Sequence, residues 1–472
     1  MMSGKTAAIV LFVSLLIFAV TLRDSGRDYA CRDCNVVLIS LDTLRADHLS
    51  SYGYPLNTSP HIDDLAAKGI LFENAISQAS WTMPSHAALF TSLYPSDMEL
   101  FYFPYPGLIS DNVTVLTELL KAEGYATAGF HGGSFLSEGF GFSQGFDVYK
   151  SNGPRMEDNT RDIYSWLSEN HDKKFFLFLH NFNVHGPYTP PKTYTRYFTN
   201  YSTPTDLKSH IIDVQRLYDE KGGIPPENKS SLDYIISQYD GEIAYVDHLL
   251  GQFIGELVRY GLLNNTLIIV TSDHGEEFLE HGHFDHVRTL YDELVRVPLI
   301  VWAPTLPEGR RVSKQVMLVD VMPTVLDLLG IKYSGDVRGL SLVSFVLGGG
   351  IERPALSETG STFPRDIPKN TLISYQRSVR SGGWKLIYGR FKVNMTPADG
   401  SIQRVDTVSS YQLFDLSTDS GEHVDVYDKE RLRAFSLSRR LVGAPVQAEA
   451  PQEPANVSDS VKQQLKGMGY LT

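Results

Sequence analysis

Residues Asn35–Asp42, NVVLISLD, give the clearest indication of a fold class in this sequence of 472 residues. The segment is an almost continuous apolar run, rich in β-branched residues, which is typical of a strand buried in a parallel sheet. It stops on a carboxylate, and the same form recurs at Lys174–His180 (KFFLFLH) and Leu267–Asp273 (LIIVTSD). In open α/β sheets, ligands bind beyond the carboxyl ends of the strands, so the three polar endings predict one shared site.

Helical patterns lie between these predicted strands. Val113–Glu123, Tyr239–Tyr260 and Leu318–Leu329 have apolar residues at helical spacing, and a glycine follows each of them. Glycine is the residue most favoured just beyond a helix C-terminus. The alternation predicts an α/β fold with a doubly wound, mostly parallel sheet flanked by helices.

The pattern changes after about residue 335. Short β-type segments at Arg377–Val379, Trp384–Tyr388 and Tyr411–Leu416 are separated by Gly, Ser and Asp. They predict a smaller C-terminal subdomain built on an antiparallel sheet. The predicted organisation is an N-terminal segment at 1–34, a main domain at 35–335, the subdomain at 336–442, and a linker with a short terminal helix at 443–472.

The composition limits the kinds of partner. Hydrophobic residues make up 42% of the chain, which is enough for a large core. The formal net charge is -13, and this argues against binding to nucleic acid, whose affinity depends on Lys and Arg neutralising phosphates. An anionic substrate is still compatible with this charge, because a metal ion and histidines can reverse the sign inside one pocket.

The N-terminal segment contains an apolar run, Thr6–Leu22, preceded by Lys5. A membrane-spanning helix needs roughly 17–25 such residues, so the run is at the short limit and suits a signal peptide equally well. No small-x-small cleavage site follows it. We therefore favour an uncleaved membrane anchor with everything after Arg23 outside the cytoplasm, in the periplasm, at the cell surface or in the secretory pathway.

Cys31 and Cys34 are the only cysteines of the chain. A CxxC pair in an exported protein is a small disulfide loop, a redox pair or half of a metal site. The sequence has no further thiolates to complete a zinc cluster. We therefore favour a disulfide or an inert tether over any chemistry.

The stretch TSDHGEEFLEHGHFDH, which begins at Thr271, places Asp273 and His274 at the end of a predicted strand. Three more histidines follow within one loop, namely His281, His283 and His286. So many imidazoles beside carboxylates are hard to explain by packing. Carboxylate and imidazole ligands suit a divalent ion such as Zn, Mn or Mg, so the stretch predicts a metal or oxyanion site.

The stretch ASWTMPSHAALFTSLYP, which begins at Ala79, places Thr82 at the start of a predicted helix. Pro84 suits the first turn of that helix. Free amide groups and the helix dipole stabilise an anion there, and a metal-coordinated hydroxyl can act as a nucleophile. The alternative is that Thr82 only caps the helix.

Together these stretches resemble the sulfatase family of the alkaline phosphatase superfamily, from Asn35 to Thr472. The motifs that carry the resemblance are LISLDTLRADHLSSYGY, SWTMPSHAALFTSLYP, FLHNFNVHGPYTPP, TSDHGEEFLEHGHF, VPLIVWAP and SVRSGGWKLIYG. The resemblance implies an alkaline phosphatase-like fold with a catalytic domain at 35–335. It also implies a metal-dependent enzyme that attacks sulfate or phosphate esters.

The resemblance also implies roles for individual residues. One divalent ion (Zn, Mn, Mg or Ca) is expected on four ligands: Asp42, Thr82, Asp273 and His274. His185 and His281 match histidines that contact the substrate oxyanion or the leaving group, and His283 is expected to assist. Lys385 lies in a motif of the family as a substrate-binding residue, although it is equally compatible with a strand lysine that faces solvent. A second metal set is not obvious, but His180, His283 and His286 could supply part of one.

The sequence departs from the usual sulfatases at the nucleophile. The resemblance implies a Cys or Ser at the position of Thr82, which the usual sulfatases convert to formylglycine. Threonine is a secondary alcohol and cannot form that aldehyde. His86 and Thr43 replace two further residues of the family pattern. At these positions the sequence resembles phosphodiesterases and membrane phosphoethanolamine or phosphoglycerol transferases, which use a metal-bound threonine.

These departures favour hydrolysis or transfer of phosphate esters through Thr82, without formylglycine. The alternatives are a sulfuric ester hydrolase that lacks formylglycine and an inactive binding protein on the same scaffold. The substrate itself, whether a glycan, a lipid head group or a small molecule, is left open.

Overall fold

The computed structural model describes residues 29–104, 107–195, 207–225, 228–361, 371–395, 404–441 and 463. Its strands in chain order are β1 Asn35–Leu41, β2 Ile70–Ile76, β3 Tyr102–Phe103, β4 Ala126–Phe130, β5 Val148–Lys150, β6 Phe175–Asn181, β7 Thr266–Thr271, β8 Glu277–Phe278, β9 Phe284–Asp285, β10 Arg296–Trp302, β11 Arg310–Val312, β12 Val316–Met317, β13 Ala355–Ser361, β14 Thr371–Ser381, β15 Trp384–Met395 and β16 Arg404–Asp415. The α-helices are Pro60–Lys68, Thr82–Thr91, Leu116–Ala122, Met156–Asn170, Lys192–Thr195, Leu207–Lys221, Lys229–Arg259, Asp292–Val295, Val321–Leu329, Val343–Val346 and Arg431–Leu441.

The main sheet has nine strands in the order β11-β2-β10-β7-β1-β6-β4-β5, with β12 paired to β2. β1 lies between β6 and β7 and is parallel to both, whereas β10 is antiparallel to its neighbours. Alternate residues of β1 enter two different cores, Leu38 on one face and Ile39 on the other. The prediction of a doubly wound, mostly parallel sheet with a helical layer on each face is therefore confirmed.

The strand register brings three chain segments to one edge of this sheet. Ser40 of β1 is paired with His180 of β6 and with Thr271 of β7. Because parallel neighbours run in the same direction, Asp42 and Asp273 both lie just beyond this common level. The expected convergence of strand ends is confirmed.

The second sheet has five strands in the order β16-β15-β14-β13-β3. Strands β13 to β16 form an antiparallel meander, and the helix Arg431–Leu441 packs on it through Ala434 and Leu437. The predicted antiparallel subdomain is confirmed, but its strands are longer than the short apolar segments indicated. The polar stretches that extend them are held by neighbouring strands, which no local pattern reveals. The domain boundaries themselves stay predictions.

The predicted helices exist with shifted ends. The helix predicted at Val113–Glu123 covers Leu116–Ala122, because the Glu118 carboxylate accepts from the amide of Val115 and caps the chain there. The helix predicted from Tyr239 begins ten residues earlier, at Lys229, and runs for 31 residues. Its first turns bury few side chains, so their apolar periodicity is weak.

The N-terminal prediction is only partly covered by the structure. Cys31 and Cys34 form a disulfide, as favoured from the sequence, and both residues are buried. The anchor expected at Thr6–Leu22 lies outside the described residues, as does the segment 443–472 apart from residue 463. Among the helices within the described ranges, none is long and apolar enough to cross a membrane.

Candidate functional site

Three of the predicted metal ligands meet at the edge of the main sheet. Asp42, Asp273 and His274 follow β1 and β7, are completely buried, and offer ligand atoms that all lie within 4.8 Å of one another. The turn after His274 needs Gly275, since a Cβ atom there would lie 1.9 Å from the carbonyl oxygen of Glu293. The glycine therefore permits a close backbone approach that holds the two ligands at the strand end.

Thr82 completes this cluster. Its Oγ1 lies 3.3 Å from Oδ2 of Asp42 and 3.5 Å from Nε2 of His274. Thr82 is the first residue of its helix, and the N-cap is Trp81, with no side-chain hydrogen bond at the cap. The alternative that Thr82 only caps the helix is therefore wrong. The start of the helix places the hydroxyl among the predicted metal ligands.

The donor atoms of the cluster fit a divalent ion. Oδ1 of Asp42 and Oδ2 of Asp273 are buried and have no hydrogen-bond partner among the described residues. Burial, together with the neighbouring Asp273 carboxylate, raises the pKa of Asp42 well above its ordinary value. Two carboxylates are costly to bury side by side, and a cation between them offsets that cost. Oxygen and imidazole donors are those that Zn, Mn or Mg accept.

Two further histidines hold the ligands in place. His180 Nδ1 lies 3.3 Å from the amide of Gly132 and must accept, so its Nε2 carries the proton and donates to Asp42 Oδ2 at 3.1 Å. His86 Nδ1 donates to the carbonyl of Thr82 at 2.8 Å, and its Nε2 accepts from the Ser40 hydroxyl at 2.9 Å. Burial lowers the pKa of both histidines. His86, His180 and Asp273 also lie close enough together to hold an ion, so a part for His180 in a second metal set stays a prediction.

The structure brings His286 to the cluster, a residue to which the sequence assigned no catalytic role. Its ring centroid lies 4.4 Å from that of His274 and 5.1 Å from that of His185. Burial lowers the pKa of His286, but the carboxylates of Asp285 and Glu276, 2.9 and 3.1 Å from its Nδ1, outweigh burial and raise it well above the ordinary value. The raised pKa favours the protonated form of His286 beside the predicted metal ligands.

The backbone around His286 is strained. Asp285 and Val287 have φ values of 88° and 82°, in a region that side chains other than glycine rarely adopt. The conformation persists because the amide of Val287 donates to the carbonyl of Ser80 and its carbonyl accepts from Thr359. Strain of this kind is common at functional sites. No sequence pattern distinguished His286 from the other histidines of this stretch, because only the fold of the loop places it next to His274.

His281, His283 and Lys385 have other surroundings than expected. His281 is stacked on Tyr291, with ring centroids 3.5 Å apart, and both its nitrogens have protein partners. His283 is half-buried, and its amide donates to Glu277. The alternative that Lys385 faces solvent is wrong, because its side chain is 1% exposed and forms ion pairs with Asp292 and Glu422. Substrate contact by these three residues stays a prediction.

Comparisons with known proteins identify the family. The sulfatase model matches residues 34–331, and the model of the C-terminal region of N-sulphoglucosamine sulphohydrolase matches residues 279–441. The first match covers more than half of the chain. The protein therefore belongs to the sulfatase family, and it is an enzyme that hydrolyses ester bonds.

Individual relatives agree with this assignment. The chain is 25% identical over 482 residues to arylsulfatase K of Xenopus laevis, a match that covers 91% of this chain and 85% of the relative. The structure of a phosphonate monoester hydrolase of Agrobacterium radiobacter superposes with a TM-score of 0.66 at 22% identity, covering 86% of this chain and 94% of the other. A structure in complex with D-glucosamine-2-N,6-O-disulfate has a TM-score of 0.67 at 20% identity, covering 86% and 97%. At these identities, the two structures show the fold alone.

Proposed function

We propose that this chain hydrolyses sulfate monoesters at the cluster of Asp42, Thr82, Asp273 and His274. The observation that carries the proposal is the pair of buried carboxylate oxygens, beside the Thr82 hydroxyl, that have no hydrogen-bond partner in the described part of the chain. That arrangement supports one divalent ion, and the family to which the chain belongs is named for sulfate esters. Arylsulfatase K, similar over 91% of this chain, supports sulfate over phosphate transfer.

The four residues would hold the ion through two carboxylates, one hydroxyl and one imidazole. When bound, the ion supplies positive charge that stabilises the substrate anion and lowers the pKa of a coordinated hydroxyl. Amides at the start of the helix Thr82–Thr91 add to that positive potential. His286 lies beside His274, where it can donate a hydrogen bond to an oxygen of the substrate, and His185 lies against His286.

For a sulfate ester, we propose that Thr82 acts as a ligand and that water attacks sulfur directly. A threonine cannot become formylglycine, and a sulfated threonine has no aldehyde to which it can collapse. The oxygen of water forms the new bond to sulfur while the bond to the ester oxygen breaks, and the protons of the attacking water pass to solvent as sulfate forms. A histidine of the site, with His286 the best placed, protonates the departing alkoxide.

A second candidate is hydrolysis or transfer of phosphate esters, and the position of Thr82 favours it. Its hydroxyl lies 3.3 Å from a carboxylate oxygen that can accept its proton. In this mechanism, Thr82 Oγ1 displaces the alcohol from phosphorus. Water or an acceptor alcohol then cleaves the phosphothreonine. This reaction needs no aldehyde and so uses threonine directly.

We also propose that the protein works outside the cytoplasm. The disulfide between Cys31 and Cys34 supports this location, since cytosolic thiols stay reduced. Attachment to a membrane through Thr6–Leu22 remains part of the proposal, as does the division into a catalytic domain at 35–335 and a subdomain at 336–442. The substrate is an anionic ester and not a nucleic acid.

The test is a direct comparison of substrates. The full-length chain, supplied with Zn, Mn, Mg or Ca in turn, is assayed with para-nitrophenyl sulfate, para-nitrophenyl phosphate and bis(para-nitrophenyl) phosphate. We expect the highest kcat/KM for the sulfate. A higher value for a phosphate, together with phosphate on Thr82 in quenched samples by mass spectrometry, would establish the second candidate instead. A chain that retains no divalent ion and cleaves no ester would be a binding protein.

A further inference from the structure

A short hairpin connects the candidate site to the C-terminal sheet. Strands β8 and β9 pair through Glu277 with Asp285 and Phe278 with Phe284, and His281 lies in the loop between them. The base of the hairpin carries Asp285 and the neighbouring Glu276, which hold His286 against His274. The position of the hairpin therefore sets the position of His286.

The tip of the hairpin is fixed by the ring of His281. Its Nε2 lies 3.1 Å from the carbonyl oxygen of Glu422, in the turn after β16, and its Nδ1 lies 2.6 Å from Oε1 of Glu293. A carbonyl oxygen only accepts, so Nε2 must carry a proton. Without a second proton, the lone pair of Nδ1 would face a carboxylate oxygen at 2.6 Å, which is repulsive. The geometry therefore requires one further proton, shared between His281 and Glu293.

The surroundings of His281 are rich in charge from every element packed against it. The groups that face it are Glu277, His283, Tyr291, Glu293, Glu422 and His423. Behind them, Lys385 of β15 forms ion pairs with Asp292 and with Glu422. Burial lowers the pKa of His281, but the hydrogen bond and the charge of Glu293 outweigh burial and raise it.

We propose that His281 is a positioning residue, whose proton shared with Glu293 fixes the hairpin to the C-terminal sheet and is lost as the pH rises. When the proton leaves, the contact with Glu293 becomes repulsive, the hairpin loosens, and His286 is no longer held against His274. The inference rests on the proposed active site only for its effect on catalysis. It does not depend on which ester is cleaved.

The direction of the pH effect follows from linkage. A histidine whose pKa is raised by folding contributes stability that is complete below its ordinary pKa of about 6.5. That contribution is lost as the pH rises through the raised pKa of the folded protein. The hairpin is therefore fixed below the raised pKa of His281 and loosens as the pH rises through it.

Glu293→Gln gives the sharpest test. The glutamine amide can donate to neutral Nδ1, so the contact persists without the second proton while Nε2 still donates to Glu422. His281→Phe keeps the ring stack on Tyr291 and loses both hydrogen bonds. His248→Gln, at an exposed histidine of the long helix Lys229–Arg259, is the matched control.

The measurement is amide hydrogen exchange of residues 277–287 in the full chain, corrected for intrinsic rates, between about pH 6 and about pH 9. In the wild type and in His248→Gln, we expect roughly tenfold faster exchange at the alkaline end, with a parallel fall in kcat. In Glu293→Gln we expect neither the faster exchange nor the fall in kcat at the alkaline end. In His281→Phe we expect fast exchange at every pH. An identical pH step in wild type and Glu293→Gln overturns the proposal. Because exchange needs no substrate, this result is independent of the proposed function.

Discussion

Thr82 owes its surroundings to its place at the first turn of the helix Thr82–Thr91. The helix start points Oγ1 at Asp42 and His274, and His86, one turn later, holds the carbonyl of Thr82. Residues i and i+4 of a helix lie on the same face, which is why His86 can do so. The candidate nucleophile Thr82 and His86, which donates a hydrogen bond to its carbonyl, thus lie within five consecutive residues.

Removing the hydroxyl tests this arrangement. We expect Thr82→Ala to lower kcat/KM by roughly a thousandfold, about 4 kcal/mol of transition-state stabilisation. Thr82→Ser keeps the oxygen atom and should retain a substantial part of the activity. Steady-state kinetics on the preferred ester measure both variants. Full activity of Thr82→Ala on every substrate would show that Thr82 has no chemical role.

His180 offers a second test at the scale of single residues. It donates to Asp42 and has no freedom to change tautomer, because Gly132 occupies its Nδ1. Residues that orient a metal ligand in this way typically contribute about tenfold to a hundredfold to metal affinity. We expect His180→Ala to weaken binding of the divalent ion by that factor, measured by calorimetry. The control is His171→Ala, at the residue that follows the C-terminus of the helix Met156–Asn170. This variant should bind the ion as tightly as the wild type.

The secondary structure elements show what sequence patterns can and cannot supply. β1, β6 and β7 were predicted because buried parallel strands are apolar throughout, and their register then brought Asp42 and Asp273 together. The place of His281 and Lys385 was not predictable. Both depend on contacts between β15, the turn after β16 and the segment Asp292–Val295, which are distant in sequence. Local patterns carry information on elements and strand ends, but not on packing between sheets.

One element has a pH-dependent contact. Asp247, in the long helix Lys229–Arg259, accepts from the amides of His61 and Ile62 at the start of the helix Pro60–Lys68. Burial raises the pKa of Asp247 to about 7. Because folding favours its protonated form, the stability from this group is greatest below about pH 4 and is lost as the pH rises toward 7.

Asp247→Asn should therefore remove part of the pH dependence of unfolding. At about 1.4 kcal/mol per pKa unit, the wild type loses up to about 4 kcal/mol between pH 4 and 7 relative to the variant. Denaturant unfolding of both proteins across this range gives the difference directly. Parallel stability curves for the two proteins would show that the pKa of Asp247 is the same in the folded and the unfolded protein.

At the scale of the whole molecule, the two sheets meet around the hairpin that carries His281. The main sheet carries the predicted metal ligands. The turn after β16 supplies the Glu422 carbonyl that contacts His281, and Lys385 of β15 forms an ion pair with Glu422. β3, from the first third of the chain, also joins the edge of the smaller sheet. Residues from both sheets, which are distant in sequence, therefore position the side chains of one candidate site.

Binding of the ion couples this site to the stability of the whole fold. Without a cation, burial and the Asp273 carboxylate disfavour the charged form of Asp42, so Asp42→Asn should be more stable than the wild type in the presence of a chelator. With the ion at about 100 times its Kd, the wild type gains about 2.7 kcal/mol, and the variant, which has lost one ligand, gains little. The order of the two Tm values should therefore reverse on adding metal. Calorimetric scans with and without a chelator measure this reversal. Equal responses of the two proteins to metal would place the ion elsewhere than between Asp42 and Asp273.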